Sequence, residues 1–169
     1  MNLLAPNTLQ TLTDFLDYLK TASSCIEIFT DGACSGNPGI GGWGAIFKCG
    51  KIEWEHSGFD LETTNNRMEM MAAIESIQCL PFGKKITVHT DSQYLKDGIT
   101  LWLKNWKKNG WKTSNKKPVK NQDLWESLEE LSQNHEITWC WVKGHNGHIE
   151  NERADALARR AIIAGRIKL

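Results

Sequence analysis

Two short stretches, IEIFTD at residues 26–31 and ITVHTD at residues 86–91, carry the same pattern. In each, apolar and polar residues alternate as in a β-strand, so the isoleucine and valine side chains share one face and the closing aspartate takes the other. We therefore predict two neighbouring parallel strands with Asp31 and Asp91 at their C-terminal ends. That end of an open α/β sheet is where ligands bind.

The segments around these strands predict a mixed sheet flanked by helices. The runs WGAIFK (43–48) and KIEWEHSGF (51–59) follow a glycine-rich turn and predict an antiparallel three-stranded unit together with the first strand. We expect a further strand at 136–143 and helices at 63–80, 92–103, 121–133 and 149–165. The expected fold class is α/β, with a mixed five-stranded sheet of three antiparallel strands and then parallel strands.

Residues 1–24 are predicted to form an N-terminal helical extension of a domain at 25–169. Leucines recur there at helical spacing, at Leu9, Leu12, Leu16 and Leu19. Asn7 or Thr8 is expected to cap this helix. Because a short amphipathic helix usually covers core, we expect it to pack on the domain rather than to bind a partner.

Composition and sequence pattern argue against a membrane-spanning protein and against a secreted protein. Twenty Lys+Arg balance twenty Asp+Glu, so the overall charge indicates no partner. Apolar runs fall far short of the ~20 residues that span a bilayer, and we expect neither a membrane partner nor a secretory signal. Five cysteines at irregular spacing predict reduced, mostly buried thiols and a cytoplasmic location.

Four acidic residues form the candidate chemical site. Glu69 is the only charged residue of an apolar helical stretch, and Asp155 lies on the inward side of the last helix. Buried acids are costly unless they are paired or bind metal. Together with Asp31 and Asp91, these carboxylates predict a site for a hard divalent cation, Mg²⁺ or alternatively Mn²⁺.

Each of these acids also has an ordinary structural interpretation. Asp31 precedes a glycine and could begin a turn, and Asp91 could cap the next helix. Glu69 could satisfy a helix N-terminus, and Asp155 could be a surface residue. The coincidence of all four with a repeated strand pattern favours the metal site.

Two glycine-containing segments lead to different interpretations, one retained as a possible part of the site and one discarded. His145 and His148 belong to the loop GHNGH before the last helix, where a histidine beside a metal site could move protons or could be an incidental polar residue. The G-x-G-x-x-G at Gly39, Gly41 and Gly44 opens into a strand rather than a helix. We therefore discard a dinucleotide site and expect no small-molecule cofactor.

The segment from Lys104 to Asn121 is strongly basic. It contains no acid and seven lysines, Lys104, Lys107, Lys108, Lys112, Lys116, Lys117 and Lys120. The 13 basic and 20 acidic residues elsewhere leave the rest of the chain at a net charge of −7. In or beside the segment lie Trp102, Trp106, Trp111 and Trp125. Interleaved lysines and aromatics predict nucleic-acid binding, and the alternative is a solvated loop over buried tryptophans.

These motifs resemble the type I (bacterial-type) ribonuclease H family. The matching stretches are FTDG (29–32), GNPG (36–39), TTNNRME (63–69), TDSQ (90–93), VKGH (142–145) and residues 147–155. The resemblance covers residues 25 to about 165 and implies a ribonuclease H-like catalytic domain at 25–169. It implies that the metal-binding catalytic carboxylates are Asp31, Glu69, Asp91 and Asp155. It also implies that His145 is the catalytic-loop histidine.

The resemblance further implies a nucleic-acid surface. Positions that contact the nucleic acid near the cleaved strand, including its 2′-hydroxyls, match Asn37, Asn65, Asn66 and Gln93. Thr64 and Asn121 match positions that hold a DNA phosphate. The substrate-binding basic protrusion corresponds to Trp102, Lys107, Lys108, Lys112, Lys116 and Lys120. Glu62 departs from the pattern, since many members have an arginine there, and a lysine would have to rebuild the phosphate pocket.

The activity that the resemblance implies is endonucleolytic hydrolysis of the RNA strand of RNA–DNA hybrids, largely independent of sequence. Two Mg²⁺ ions would act in catalysis and leave 5′-phosphate and 3′-hydroxyl ends. Contacts to the 2′-hydroxyl would distinguish RNA from DNA. We expect a monomer with the hybrid as its partner. A DNA-directed nuclease on the same fold and a catalytically inactive nucleic-acid-binding module are the alternatives.

Overall fold

The computed structural model describes residues 11–21, 25–143 and 148–169. Its centre is a five-stranded sheet in the order β3-β2-β1-β4-β5. The strands are β1 (Ile26–Gly36), β2 (Gly39–Cys49), β3 (Ile52–Thr63), β4 (Lys85–Thr90) and β5 (Glu136–Trp141). The pairs β1–β2 and β2–β3 are antiparallel, whereas β1–β4 and β4–β5 are parallel. The predicted mixed sheet is therefore confirmed.

Six α-helices accompany the sheet in the described ranges. They are α1 (Leu12–Thr21), α2 (Asn65–Gln78), α3 (Gln93–Asp97), α4 (Leu103–Lys108), α5 (Gln122–Asn134) and α6 (Ile149–Ile167). The single helix predicted at 92–103 is interrupted, because a π-helical turn at Gly98–Trp102 separates α3 from α4. Of the helices described, none combines the length and the apolar character needed to cross a membrane.

The register between β1 and β4 matches the repeated sequence pattern. Ile26 pairs with Ile86 and Ile28 with Val88, and all four side chains are buried in one core cluster. Asp31 and Asp91 each lie three residues beyond the second pair. The apolar pattern thus aligns the two strands and brings both aspartates to the same level of the sheet.

The prediction that the first strand ends at Asp31 is wrong. β1 continues to Gly36 as the antiparallel partner of β2, with Asp31 opposite Gly44. Only the parallel pairing with β4 stops short of the aspartate, at Phe29–His89. The reason is that β1 has two neighbours, and the β1–β2 hairpin extends further than the shorter β4. Asp31 therefore lies within β1, just beyond the point where β1 stops pairing with β4 and continues to pair with β2 alone.

Two glycines allow helices to approach this point closely. A Cβ atom at Gly32 would overlap the backbone of Met68 and Glu69 in α2. A Cβ atom at Gly44 would overlap the backbone oxygen of Ala154 in α6. Gly44 belongs to the G-x-G-x-x-G stretch, which lies in strand β2 as expected, so helix packing explains a glycine there and no dinucleotide is needed.

Helix α1 packs on the sheet through aromatic contacts. Phe15 and Leu19 are buried, and the Phe15 ring lies 5.4 Å from the ring centroids of both Phe47 and Trp54. The Thr11 hydroxyl accepts a hydrogen bond from the Asp14 backbone N–H at 3.1 Å at the start of this helix. The predicted caps Asn7 and Thr8, like Leu9, lie outside the described residues.

All five cysteines are free thiols, as predicted, but most of them are not buried. Only Cys49 is enclosed, within the core beneath α1. Cys25 is exposed, and Cys34, Cys79 and Cys140 are partly exposed. The expectation of mostly buried thiols is therefore wrong. Cys25 precedes β1 and Cys79 follows α2, and the ends of elements are less enclosed than their centres.

We predict that Phe15→Ala lowers the free energy of unfolding by about 3–5 kcal/mol, because it removes a fully enclosed ring from a close-packed cluster. Urea denaturation followed by circular dichroism measures this loss. Leu12→Ala is the matched control on the same helix, since Leu12 is 37% exposed and should change stability by no more than about 1 kcal/mol. Equal, small effects of the two substitutions would show that α1 is not part of the core.

Candidate active site

Three carboxylates meet just beyond the point where β1 and β4 stop pairing. Asp31 comes from the middle of β1, Glu69 from α2, and Asp91 from the residue after β4. One carboxylate oxygen from each residue lies within 4.8 Å of the others. Oxygen ligands at this spacing suit a hard divalent cation. The three residues thus form a group able to hold a metal ion.

Burial and mutual repulsion raise the pKa values of two members of this group. Burial, followed by the charge of Asp91, raises the pKa of Asp31 from 3.8 to about 7. Burial, followed by the charge of Asp31, raises the pKa of Glu69 well above its usual value. Adjacent carboxylates repel one another unless a proton or a cation is shared between them. Without a cation, a proton shared within the group would relieve this repulsion.

Hydrogen bonding leaves part of the site without a partner. The Gly32 backbone N–H donates to Asp31 Oδ1 at 2.9 Å. Glu69 Oε2 is buried and accepts no hydrogen bond from any residue that the structure describes. A buried carboxylate oxygen without a donor is costly, and a bound cation would offset that cost. The donor set therefore fits a metal ion.

The ordinary interpretations of three of the acids are not supported. Asp31 lies within a strand, not in a turn. Ser92, not Asp91, caps α3, because its hydroxyl accepts from the Leu95 backbone N–H at 3.1 Å. Glu69 lies beyond the first turn of α2, whose N-cap is Thr64.

Asp155 lies beside the group rather than within it. Its side chain, in α6, is 25% exposed and forms an ion pair with Arg159 Nε at 3.1 Å. It is close enough to Asp31 that its negative charge contributes to the raised pKa of Asp31. His145 lies outside the described residues, whereas the exposed His148 precedes α6 without capping it through its side chain.

Five of the predicted nucleic-acid contacts line one cavity of about 360 Å³. They are Asn37, Thr64, Asn66, Lys120 and Asn121. Asn65 is adjacent, and its backbone N–H donates to Asn37 Oδ1 at 3.2 Å. Glu62 is exposed and does not line the cavity, whereas Lys120 does and supplies a positive charge. Gln93 lies apart from this set, with its amide donating to Asp97 at 2.7 Å.

The basic segment lies over an aromatic cluster. Trp125 is fully buried and cannot contact a ligand, whereas Trp102, Trp106 and Trp111 are partly exposed. A second cavity, of about 520 Å³, lies between Trp102, Trp106 and the loop at 113–120. The lysines Lys108, Lys112 and Lys116 are exposed.

Two side chains, one paired with the basic segment and one lining the aromatic cavity, were not predicted from the sequence. Glu129 of α5 forms an ion pair with Lys107, so the seven lysines are not all unopposed. Tyr94 lines the aromatic cavity. Tyr94 follows the candidate ligand Asp91 by three residues and lies in the predicted helix at 92–103. This closeness in sequence was a signal that Tyr94 lies near the site. No local pattern links Glu129 to Lys107, because 22 positions separate them.

The sheet order and the carboxylate group define an α/β protein with a site suited to a divalent cation. Residues 23–163 match the family model described as RNase H. The chain belongs to the ribonuclease H family and is an enzyme of that family.

The similarity extends over most of the chain. Ribonuclease H of Hydrogenovibrio crunogenus is 60% identical over 137 residues, which cover 81% of this chain and 94% of the relative. Ribonuclease H of Rhizobium etli is 61% identical over 137 residues, which cover 81% and 91% respectively. The crystal structure of LC9-RNase H1, described as a type 1 RNase H with the type 2 active-site motif, superposes with a TM-score of 0.76 at 29% identity over 83% of this chain and 73% of that one.

We predict that, in EDTA, the protein loses stability as the pH rises from 5 to 8. The folded state holds a proton at Asp31 up to a pKa of about 7, whereas the unfolded state releases it near 3.8. The folded state therefore binds more protons over this window, and the free energy of unfolding falls with rising pH. Asp31→Asn should flatten this dependence, and Mg²⁺ at pH 8 should stabilise the wild type more than the variant.

Denaturation curves at several pH values measure these differences. Asp17→Asn is the control, because Asp17 is an exposed acid on α1 far from the group. Parallel pH profiles for the wild type and Asp31→Asn would contradict a shared proton at this site.

Proposed function

We propose that the protein is an endonuclease that hydrolyses the RNA strand of RNA–DNA hybrids, largely independently of sequence. The observation that carries the proposal is the convergence of Asp31, Glu69 and Asp91 on the same helix–strand framework as a polar, lysine-containing cavity. A carboxylate group alone repels phosphate. A cation between the carboxylates and cationic groups nearby would reverse that repulsion and permit a polyanionic substrate to bind.

Asp31, Glu69, Asp91 and Asp155 would hold two Mg²⁺ ions, or Mn²⁺. When bound, these ions would supply Lewis-acid chemistry and a hydroxide at neutral pH. Burial and the charge of Asp31 raise the pKa of Glu69, so binding of a cation at this carboxyl would be coupled to the release of a proton. His145 would move a proton at the reacting phosphate, and the products would carry 5′-phosphate and 3′-hydroxyl ends.

Four amide side chains, two at the start of α2, one between β1 and β2 and one at the start of α3, would select RNA on the cleaved strand. Asn37, Asn65, Asn66 and Gln93 can each donate to and accept from a 2′-hydroxyl. Thr64, Lys120 and Asn121 would hold a phosphate of the DNA strand in the polar cavity, with Lys120 in the role that Glu62 cannot fill. Trp102 and the exposed lysines of the basic segment would contact the hybrid further along.

The proposal includes the organisation and location of the chain. Residues 25–169 would form the catalytic domain, with residues 1–24 as a helical extension. The five free thiols support a reducing compartment, the cytoplasm. The expected oligomeric state is a monomer.

Cleavage of end-labelled substrates tests this function. RNA–DNA hybrid, RNA duplex and DNA duplex are each incubated with the protein, with and without Mg²⁺. We expect cleavage of the hybrid's RNA strand alone, and only with the cation. Cleavage of DNA duplex would favour a DNA-directed nuclease, and binding without cleavage would favour a nucleic-acid-binding module.

Asp31→Asn should abolish cleavage while hybrid binding is kept or strengthened, because the change weakens the metal site and relieves repulsion of phosphate. Fluorescence anisotropy with labelled hybrid measures binding independently of turnover. If binding is lost together with cleavage, Asp31 has a role in folding rather than in catalysis.

The combined substitution of Lys108, Lys112 and Lys116 by alanine should raise KM with little change in kcat, because the carboxylates are built on other elements. Each lost phosphate contact should reduce the slope of log affinity against log salt by about 0.9. We expect a reduction equivalent to one to three contacts. Lys107 is left in place because its charge is already paired with Glu129.

A charge-matched control separates local contacts from net charge. Lys20, Lys51 and Lys85 are also exposed, on α1, in the β2–β3 turn and at the start of β4. Their replacement by alanine removes the same charge at the opposite end of the sheet. If both triple variants change the salt slope equally, the basic segment is not a binding surface.

A further inference from the structure

A chain of side-chain hydrogen bonds crosses from α2 to α5. Arg67 Nη1 donates to Asn121 Oδ1 at 3.2 Å. Asn121 Nδ2 donates to the Tyr94 hydroxyl at 3.0 Å, and Trp125 Nε1 donates to the same hydroxyl at 3.3 Å. These four side chains lie between the polar cavity and the aromatic cavity, with Asn121 lining the first and Tyr94 the second.

The chemistry of these groups permits one orientation of the Asn121 amide. A guanidinium can only donate, so Arg67 must face the amide oxygen, and the amide NH₂ must therefore face Tyr94. An indole N–H can also only donate, so the Tyr94 oxygen accepts from both neighbours. One N–H of Asn121 is used by Tyr94. The second N–H has no acceptor among the residues that the structure describes, and it is a donor for a ligand in the polar cavity.

Arg67 is itself firmly held and contacts both sides of the polar cavity. Its guanidinium forms two hydrogen bonds with Asp123, at 3.0 and 2.8 Å. Its backbone N–H donates to the Thr64 hydroxyl at 3.3 Å. One residue therefore connects Thr64 and Asn121, which belong to different helices and are distant in sequence.

The backbone at Asn121 also departs from the usual arrangement. Asn121 occupies the N-cap position of α5 with a φ of 59°, and its side chain makes no capping hydrogen bond. An asparagine at an N-cap ordinarily bonds to the helix backbone. Here the amide is held by Arg67 and Tyr94 instead, which keeps it available at the cavity.

We infer that Arg67 and Tyr94 are positioning residues that orient the Asn121 amide toward a backbone phosphate of the DNA strand. The inference rests on the proposed function and adds to it a specific pair of residues that never touch the phosphate. A rigid amide binds its acceptor without losing rotational freedom, so the benefit is in substrate affinity and not in the chemical step.

Tyr94→Phe tests the inference because it removes the acceptor and keeps the ring. We expect KM and the dissociation constant for hybrid to rise about three- to tenfold, with kcat within about twofold of wild type. Arg67→Lys should act in the same direction, because an ammonium group cannot hold Asp123 and Asn121 in the same fixed geometry.

A double-variant cycle asks whether Tyr94 acts through Asn121. Once Asn121→Ala has removed the amide, Tyr94→Phe should raise KM no further. A hybrid with a neutral methylphosphonate at single positions of its DNA strand gives a second measure. At one of these positions, the methylphosphonate should weaken binding of the hybrid to the wild type. The same modification should not weaken binding to Asn121→Ala, and it should weaken binding to Tyr94→Phe only slightly.

Tyr18→Phe is the matched control, since the Tyr18 hydroxyl donates to the Cys49 backbone oxygen at 3.5 Å, on α1. It should leave KM unchanged. A lowered melting temperature for Tyr94→Phe with an unchanged KM, or an additive rise in KM in the double variant, would overturn the inference while hybrid cleavage stands. If the wild type does not bind hybrid, the proposed function fails, and the inference fails with it.

Discussion

The structure depends on holding negative charges together where water is largely excluded. Asp31 and Glu69 are each only 6% exposed, and Asp91 lies within reach of both. The surrounding fold must supply enough packing to offset this repulsion, and it does so through buried apolar pairs between β1 and β4 and through glycines that admit the helices. The repulsion is itself useful, because it makes the site selective for a species that carries concentrated positive charge.

Helix α2 connects the carboxylates to the polar cavity. Thr64 at its N-cap lines the polar cavity, and Glu69 lies five residues further along, or about 7.5 Å at the rise of an α-helix. Both positions belong to one rigid element, so their separation is set by helix geometry and not by loop conformation. Arg67, between them, reaches across to α5 and joins the second half of the cavity to the same helix.

Local pattern was enough to predict the mixed five-stranded sheet, a helix within residues 63–80, and the three acids that meet in the candidate site. Alternation along a strand and spacing along a helix are properties of neighbouring residues, which a sequence displays directly. The continuation of β1 past Asp31 was not predictable in this way, because it depends on pairing with β2. The bond between Arg67 and Asn121 and the ion pair between Lys107 and Glu129 join distant positions, and only the assembled fold brings them together.

The basic segment gives a chain with no net charge a strongly uneven field. Seven lysines lie in one stretch, and the remainder of the molecule carries an excess of acid. Beyond the Debye length of about 8 Å at physiological salt, the fields of both regions are largely screened by salt ions. At closer range an approaching polyanion would be drawn to one pole and repelled by the other. The molecule would therefore be turned into a defined orientation before any contact forms, and encounter would depend on ionic strength although the net charge is zero.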